Sequence, residues 1–297
     1  MKMKKIALVI LAIAGLMCFS PLNGFAFSLY NNYAGQLEFH FQAWDDGTTY
    51  TPEVVAGAWT GYWLPSDGGA KVFDSTYGIN DHDQDSWGVG TVTSITKVPT
   101  GPLWSQIPGG ETLDIHLYGL DDDFVKGTFD ALGNPTGLHI ESVPTNGSAY
   151  LDVYLGPGAN DFDPTVKANA LSTVTDGTKF LRLEFVPVGP NGVVYTTDYT
   201  PSLLGLPTTG NGSGYLKVVH GWGDATWEDI FDSNTYDSVS PGADFYLYND
   251  YSTSGAGQWL VKAQDPVTGY ATPEPASMLM LGLGILGCAS LRRKTAA

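Results

Sequence analysis

Between residues 27 and 271 the chain alternates. Leu37-Glu38-Phe39-His40-Phe41-Gln42-Ala43-Trp44 puts an apolar side chain at nearly every second position. Leu113-Asp114-Ile115-His116-Leu117, Leu151-Asp152-Val153-Tyr154-Leu155, Leu181-Arg182-Leu183-Glu184-Phe185, Leu216-Lys217-Val218 and Phe245-Tyr246-Leu247-Tyr248 repeat the pattern. A period of two turns one face to a core and the other to water, so each run reads as a half-buried strand. Another strand is expected over residues 88–95 and a last one near 258–262. Asp45-Asp46-Gly47, Pro108-Gly109-Gly110, Asn134-Pro135, Asn146-Gly147, Gly189-Pro190-Asn191-Gly192 and Pro241-Gly242 read as turns between them. Gly and Pro recur too often for a long helix, and the absence of a fixed repeat argues against a propeller or solenoid. The expectation is an all-β body over residues 27–264, an antiparallel β-sandwich in the jelly-roll manner. The glycine-rich residues 208–214 read as a hinge or a long surface loop, and residues 265–272 as a short polar linker.

Both ends break the pattern. Lys2, Lys4 and Lys5 precede an apolar run over residues 6–19, and Gly24-Phe25-Ala26 offers small residues at the −3 and −1 positions of a cleavage site. Residues 1–26 therefore read as a secretory signal peptide. At the other end, residues 273–297 open with Pro273-Glu274-Pro275, continue through sixteen residues (276–291) that are apolar or small, and close on Arg292-Arg293-Lys294. As a helix that stretch rises about 24 Å, short of the roughly 30 Å of a bilayer core, a mismatch that thinning and snorkelling arginines accommodate. The basic cluster suits the cytoplasmic side, which leaves the body on the far side. The prolines stop the preceding strand and favour an extended backbone before the helix.

These three features, in this order at the C-terminal end, resemble the PEP-CTERM sorting signal of Gram-negative bacteria. The resemblance implies a substrate of an exosortase-type processing enzyme that acts near Pro273-Glu274-Pro275. It implies a protein held transiently in the inner membrane and then released to the cell surface or extracellular matrix. It also implies association with exopolysaccharide and biofilm, because such systems usually accompany exopolysaccharide production. A permanent tail anchor is the alternative reading of the same segment. Bodies in this family are diverse, so the resemblance assigns no activity to residues 27–264.

Composition narrows the partners. Without its ends, the segment 27–271 holds eight basic and thirty acidic residues, a net charge of −22. That excludes nucleic acid, which needs clustered Lys and Arg, and favours solubility and attraction of cations. Both cysteines, Cys18 and Cys288, lie in the end segments. The body therefore uses neither disulfides nor a thiol nucleophile and relies on core burial.

Three acidic clusters are candidate cation loops. Asp81, Asp83 and Asp85 alternate as in calcium loops, although Ser86 and Val92 stand where an EF-hand needs Gly and Glu. Calcium is the candidate cofactor there, and a solvated acidic turn is the plainer reading. Asp121-Asp122-Asp123, after a strand ending near Tyr118, and Asp161 with Asp163 are weaker versions. Two aromatic groups, Trp59 with Trp63 and Trp222 with Trp227, are candidates for stacking on sugar rings, against the alternative of strand packing. The histidines show no metal-type spacing, no nucleophile elbow or phosphate loop is present, and nothing selects a catalytic carboxylate pair. The expectation is an exported, non-enzymatic, acidic matrix or surface protein. A carbohydrate-binding or adhesive module is the first alternative and a polysaccharide-modifying enzyme the second.

Overall fold

A computed structural model describes residues 35–271, apart from 48–49, 56–57, 66–72, 75–77, 80–85, 108–109, 133–134, 157–161, 189–190, 202–206, 254–255 and 260. The signal peptide and the sorting tail lie outside the described residues. The strands are β1 (Gly35–Gly47), β2 (Tyr50–Val55), β3 (Ala58–Pro65), β4 (Phe73–Asp74), β5 (Gly78–Ile79), β6 (Ser86–Lys97), β7 (Gly101–Ser105), β8 (Thr112–Phe129), β9 (Pro135–Pro144), β10 (Tyr150–Gly156), β11 (Thr178–Val186), β12 (Tyr195–Pro201), β13 (Pro207–Val218), β14 (Phe245–Ser252) and β15 (Val261–Ala271). Short helices at Ala170–Val174 and Ala225–Phe231 interrupt them.

The fold is antiparallel and all-β, as the alternation predicts. The pairing also closes on itself. β1 pairs β6, β6 pairs β8, β8 pairs β10, β10 pairs β11, β11 pairs β13, β13 pairs β14, β14 pairs β15, and β15 returns to β1. Opposite walls of the circuit pack across one core in a sandwich-like way, with Leu37, Phe39, Val92, Ile115, Leu151, Leu183, Phe245 and Val267 turned inward. Within this eight-strand circuit closure leaves no edge of the kind a two-sheet sandwich exposes; among the described residues β7 pairs only with β6 and lies outside it.

Two strands outrun the circuit. Beyond Tyr118, β8 leaves β10 and pairs with β9 from Leu120 on, while the first half of β13 pairs with β12 rather than β11. β9 and β12 pair with each other and complete the wall at the far end. The acidic triplet expected after a strand lies inside β8 at this change of partner. The β8–β9 register shifts between Asp121 and Phe124, and Asp121 and Asp122 are buried.

Two further expectations are corrected. Residues 208–214 belong to β13. Gly210, Gly212 and Gly214 occupy the inward positions, where a Cβ would lie 2.2 Å from the Cβ of Tyr199, 2.1 Å from the hydroxyl of Tyr195 and 2.9 Å from the ring of Tyr195, respectively. Glycine here makes room for tyrosines from the neighbouring strand, the close-approach use of glycine in strands, and is not a hinge. Residues 265–271, expected in the linker, are the second half of β15, with Gly35 opposite Ala271 and Phe39 opposite Val267. Pro266 is tolerated because the ladder between β14 and β15 skips residues 265 and 266.

Candidate functional site

The sorting motif is rooted directly in the fold. β15 pairs with β1 as far as Ala271 and with β14 as far as Gly269, and Val267 and Ala271 are buried. Only Thr272 separates this strand from Pro273. Because β1 begins at Gly35 opposite Ala271, both ends of the body leave from the same end of the circuit. The turn after β6 lies beside them, the amide of Val98 donating to the carbonyl of Gln36 at 3.1 Å. Pro273, Glu274, Pro275, Arg292, Arg293 and Lys294 lie outside the described residues.

The body sites expected from sequence lie partly outside the described residues. Asp81, Asp83 and Asp85 also lie outside the described residues, and among the described ones no group of three or more His, Cys, Asp or Glu is placed to hold a metal. Asp163 accepts from the amide and hydroxyl of its neighbour Thr165 at 2.9 and 2.7 Å, which holds its carboxyl below the usual range. Trp59 and Trp63 are strand residues of β3, opposite Val54 and Pro52; their side chains lie outside the described residues.

Trp222 and Trp227 point to different places. Trp227 packs between Phe180 and Phe231, centroids 5.5 and 5.9 Å away, at the margin of the core. Trp222 lies on the outer wall with the Arg182 guanidinium 4.5 Å and the Lys179 ammonium 5.0 Å from its ring centre, and Tyr154 edge-on at 5.4 Å. Arg182 is itself anchored. Its Nε and an Nη donate to the two carboxylate oxygens of buried Asp152, both at 2.7 Å, and Nη also reaches the Tyr118 hydroxyl at 2.8 Å. These bonds raise the Arg182 pKa, while burial and Asp152 push the Tyr118 phenol up to about 12. With its carboxylate and guanidinium mutually satisfied, the cluster is a clamp.

The clamp holds the loop between β13 and β14. Buried Glu228, in the helix Ala225–Phe231, accepts from the backbone amides of Gly221, Trp222 and Gly223 at 2.7, 3.0 and 2.6 Å. Asp224 caps this helix through the amides of Thr226 and Trp227, as N-cap aspartates do. The helix drives Phe231 into the core against Phe39, 5.5 Å between centroids, and so closes the end from which the tail leaves. Nothing in the alternating pattern announces this plug, because its apolar residues are few and not strand-spaced.

At the far end the interior is polar. The hydroxyls of Tyr195 and Tyr251 bond to each other, and Tyr195 donates to Asn249. Ser142 donates to Asp122 at 2.8 Å. Asp45 Oδ1 is shut off from solvent with no hydrogen-bond donor, and burial, reinforced by the nearby charge of Asp122, raises the Asp45 carboxyl well above the usual range. Burial likewise raises Tyr195 and Tyr199.

The outer wall at this end carries two polar rows across the sheet. Glu141, Thr196, Ser213 and Tyr248 are successive partners on β9, β12, β13 and β14, and His139, Asp198, Asn211 and Asp250 form the next row. Depressions of about 230 and 450 Å³ lie along them, the first lined by Glu141, Asn191, Thr196, Ser213 and Tyr215 and the second by Lys126, His139, Asp198 and Asn211. His139 Nδ1 is 2.7 Å from Asp198 Oδ1. Sequence reasoning missed this trough because its members are single polar residues in separate strands, and only register joins them.

Comparison with known proteins bears on the tail alone. The family model of the PEP-CTERM protein-sorting motif matches residues 271–294, so the C-terminal region carries that motif, and the match begins at the last residue of β15. No curated protein and no solved structure matches the chain. Among the described residues no helix is long and apolar enough to cross a membrane.

Proposed function

We propose that this is an exported protein handed by its C-terminal motif to an exosortase-type enzyme, processed near Pro273-Glu274-Pro275, and released to the cell surface or extracellular matrix, where the acidic β body acts without enzymatic chemistry, in association with exopolysaccharide. The observation that carries the reading is the sorting motif over residues 271–294. The basic residues after the apolar stretch and the leader-like residues 1–26 support it. Mass spectrometry of protein recovered from producing cells tests it. The expected mature chain begins near residue 27 and lacks residues 279–294. A C-terminus that still carries them leaves a permanent anchor instead.

A second reading adds carbohydrate binding by the body. It is favoured by the trough on β9, β12 and β13, where hydroxyl, amide and carboxylate groups lie beside the exposed ring of Tyr248. Concave sites of this make-up suit ligands with an apolar face and many hydroxyls. A glycan array probed with the exported form is the test. Binding that Asp198→Ala and Tyr248→Ala both abolish supports the reading, and an array without signal removes it.

A further inference from the structure

The end of the body from which the tail leaves has two unlike sides. On one side the β13–β14 loop presents exposed Asp229, Asp232 and Asp237. On the other the β6–β7 hairpin forms a lip. Between Lys97 and Glu111 no charged residue occurs, in a segment whose net charge is −22. Pro99, Thr100, Pro102 and Leu103 on this lip are exposed. Its place is set by register: Lys97 pairs with both Leu37 and Gly101, and Gly35 pairs with Ala271. The lip therefore stands two strands from the root of the tail, about 10 Å at the usual strand spacing.

The tether is short. From Ala271, held in β15, to Ala276, where the apolar stretch begins, there are five residue steps. An extended chain covers about 3.5 Å per step, so the root lies at most roughly 17 Å from the start of the apolar stretch. The headgroup layer itself takes about 5–7 Å of that distance. An inserted tail thus forces this end of the body onto the bilayer surface. The two sides of the end are not equal there, because seating on lipid strips water from the charged aspartates, which is costly, whereas an uncharged lip carries no such penalty.

We propose that, while the tail is in the bilayer, the body is seated on the lipid surface through the lip of residues 98–103, which holds Pro273-Glu274-Pro275 at headgroup level for processing. This rests on the reading that the tail inserts, and the occupant is the lipid headgroup surface rather than another protein. Leu103, 39 % exposed, is the large apolar side chain that this lip exposes.

The test uses the full chain with Cys18→Ser and Cys288→Ser and one new cysteine, either Thr100→Cys on the lip or Leu132→Cys in the β8–β9 turn. Leu132 is 87 % exposed and lies at the opposite end. Each variant is labelled with an environment-sensitive fluorophore, checked for an unchanged melting temperature, reconstituted into liposomes, and quenched with nitroxide-headgroup lipid. The expected result is loss of at least half the emission at position 100, none at 132, and recovery of emission at 100 when Leu103→Asp is added. Co-flotation with liposomes and equal response at both positions overturns the seat while leaving the anchor intact. A loss of emission at position 100 that is equally large in liposomes without nitroxide lipid is not quenching by headgroups and overturns it as well. Failure to float with liposomes defeats tail insertion itself and separates that failure from the seat.

Discussion

Glu228 is the residue on which the plugged end depends most directly. Its carboxylate receives three backbone amides within 3.0 Å while being 1 % exposed. Hydrogen bonds to a charged group contribute about 1.5–3 kcal/mol each. Three sum to more than a point change delivers, because the freed amides of a surface loop recover water. Glu228→Gln keeps the shape but turns one oxygen into an NH₂ that opposes an amide donor, losing at least one bond and leaving a donor unmet, for an expected cost of about 2–4 kcal/mol. Glu228→Ala loses all three bonds and the burial of the side chain, for about 3–5 kcal/mol. Urea unfolding followed by tryptophan fluorescence measures both. Hydrogen exchange at Gly221, Trp222 and Gly223 adds a local reading and should accelerate even where global stability falls little. A cost below about 1 kcal/mol for Glu228→Ala, with exchange at those amides unchanged, would refute the view that this carboxylate holds the loop.

The remaining predictions concern the interior and the last strand. Asp45 has a raised carboxyl pKa, so the folded state holds its proton more tightly than the unfolded chain. Stability on its account grows as pH falls through the folded value towards the unfolded one and is lost at higher pH. Asp45→Asn should therefore raise the melting temperature at pH 7.5 and flatten its pH dependence, and an unchanged profile counts against the burial argument. Gly210→Ala would place a Cβ 2.4 Å from the carbonyl of Asp198; overpacking of this kind costs about 1–3 kcal/mol, read as a lower urea midpoint, whereas a neutral change would revive the hinge. A chain ending at Ala271 should melt like one that keeps the tail, whereas a chain ending at Gln264 should lose cooperative unfolding by circular dichroism, because β15 pairs on both sides.

Much of the fold was legible because alternation is a local signal. β1, β10, β11 and β14 fall on the alternating runs, and the Asn146-Gly147 turn takes the positive φ values, 54° and 89°, that those residues tolerate. The failures share a cause. Gly210, Gly212 and Gly214 look like loop residues until the inward tyrosines of β12 stand opposite them. Asp265 and Pro266 read as linker because the gap in the β14 ladder that admits a proline belongs to the partner strand. Trp222 and Trp227, five residues apart, invite a shared platform, yet one meets Arg182 on the outer wall and the other meets Phe180 and Phe231 at the core.

By itself the sequence determined strand class, the acidic surface, the thiol-free body and the address at the C-terminal end. Each is a property of composition or of a contiguous segment and needs no partner to be read. Tertiary structure decided the closure of the strand circuit, the clamp on Arg182, the polar interior around Asp45 and Tyr195, and the trough on the outer wall. These depend on register, which joins residues far apart in the chain and has no local signature. The sorting motif belongs to both: its letters are plain in the sequence, but only the pairing of Ala271 with Gly35 shows that it starts at the last residue of a strand paired into the body.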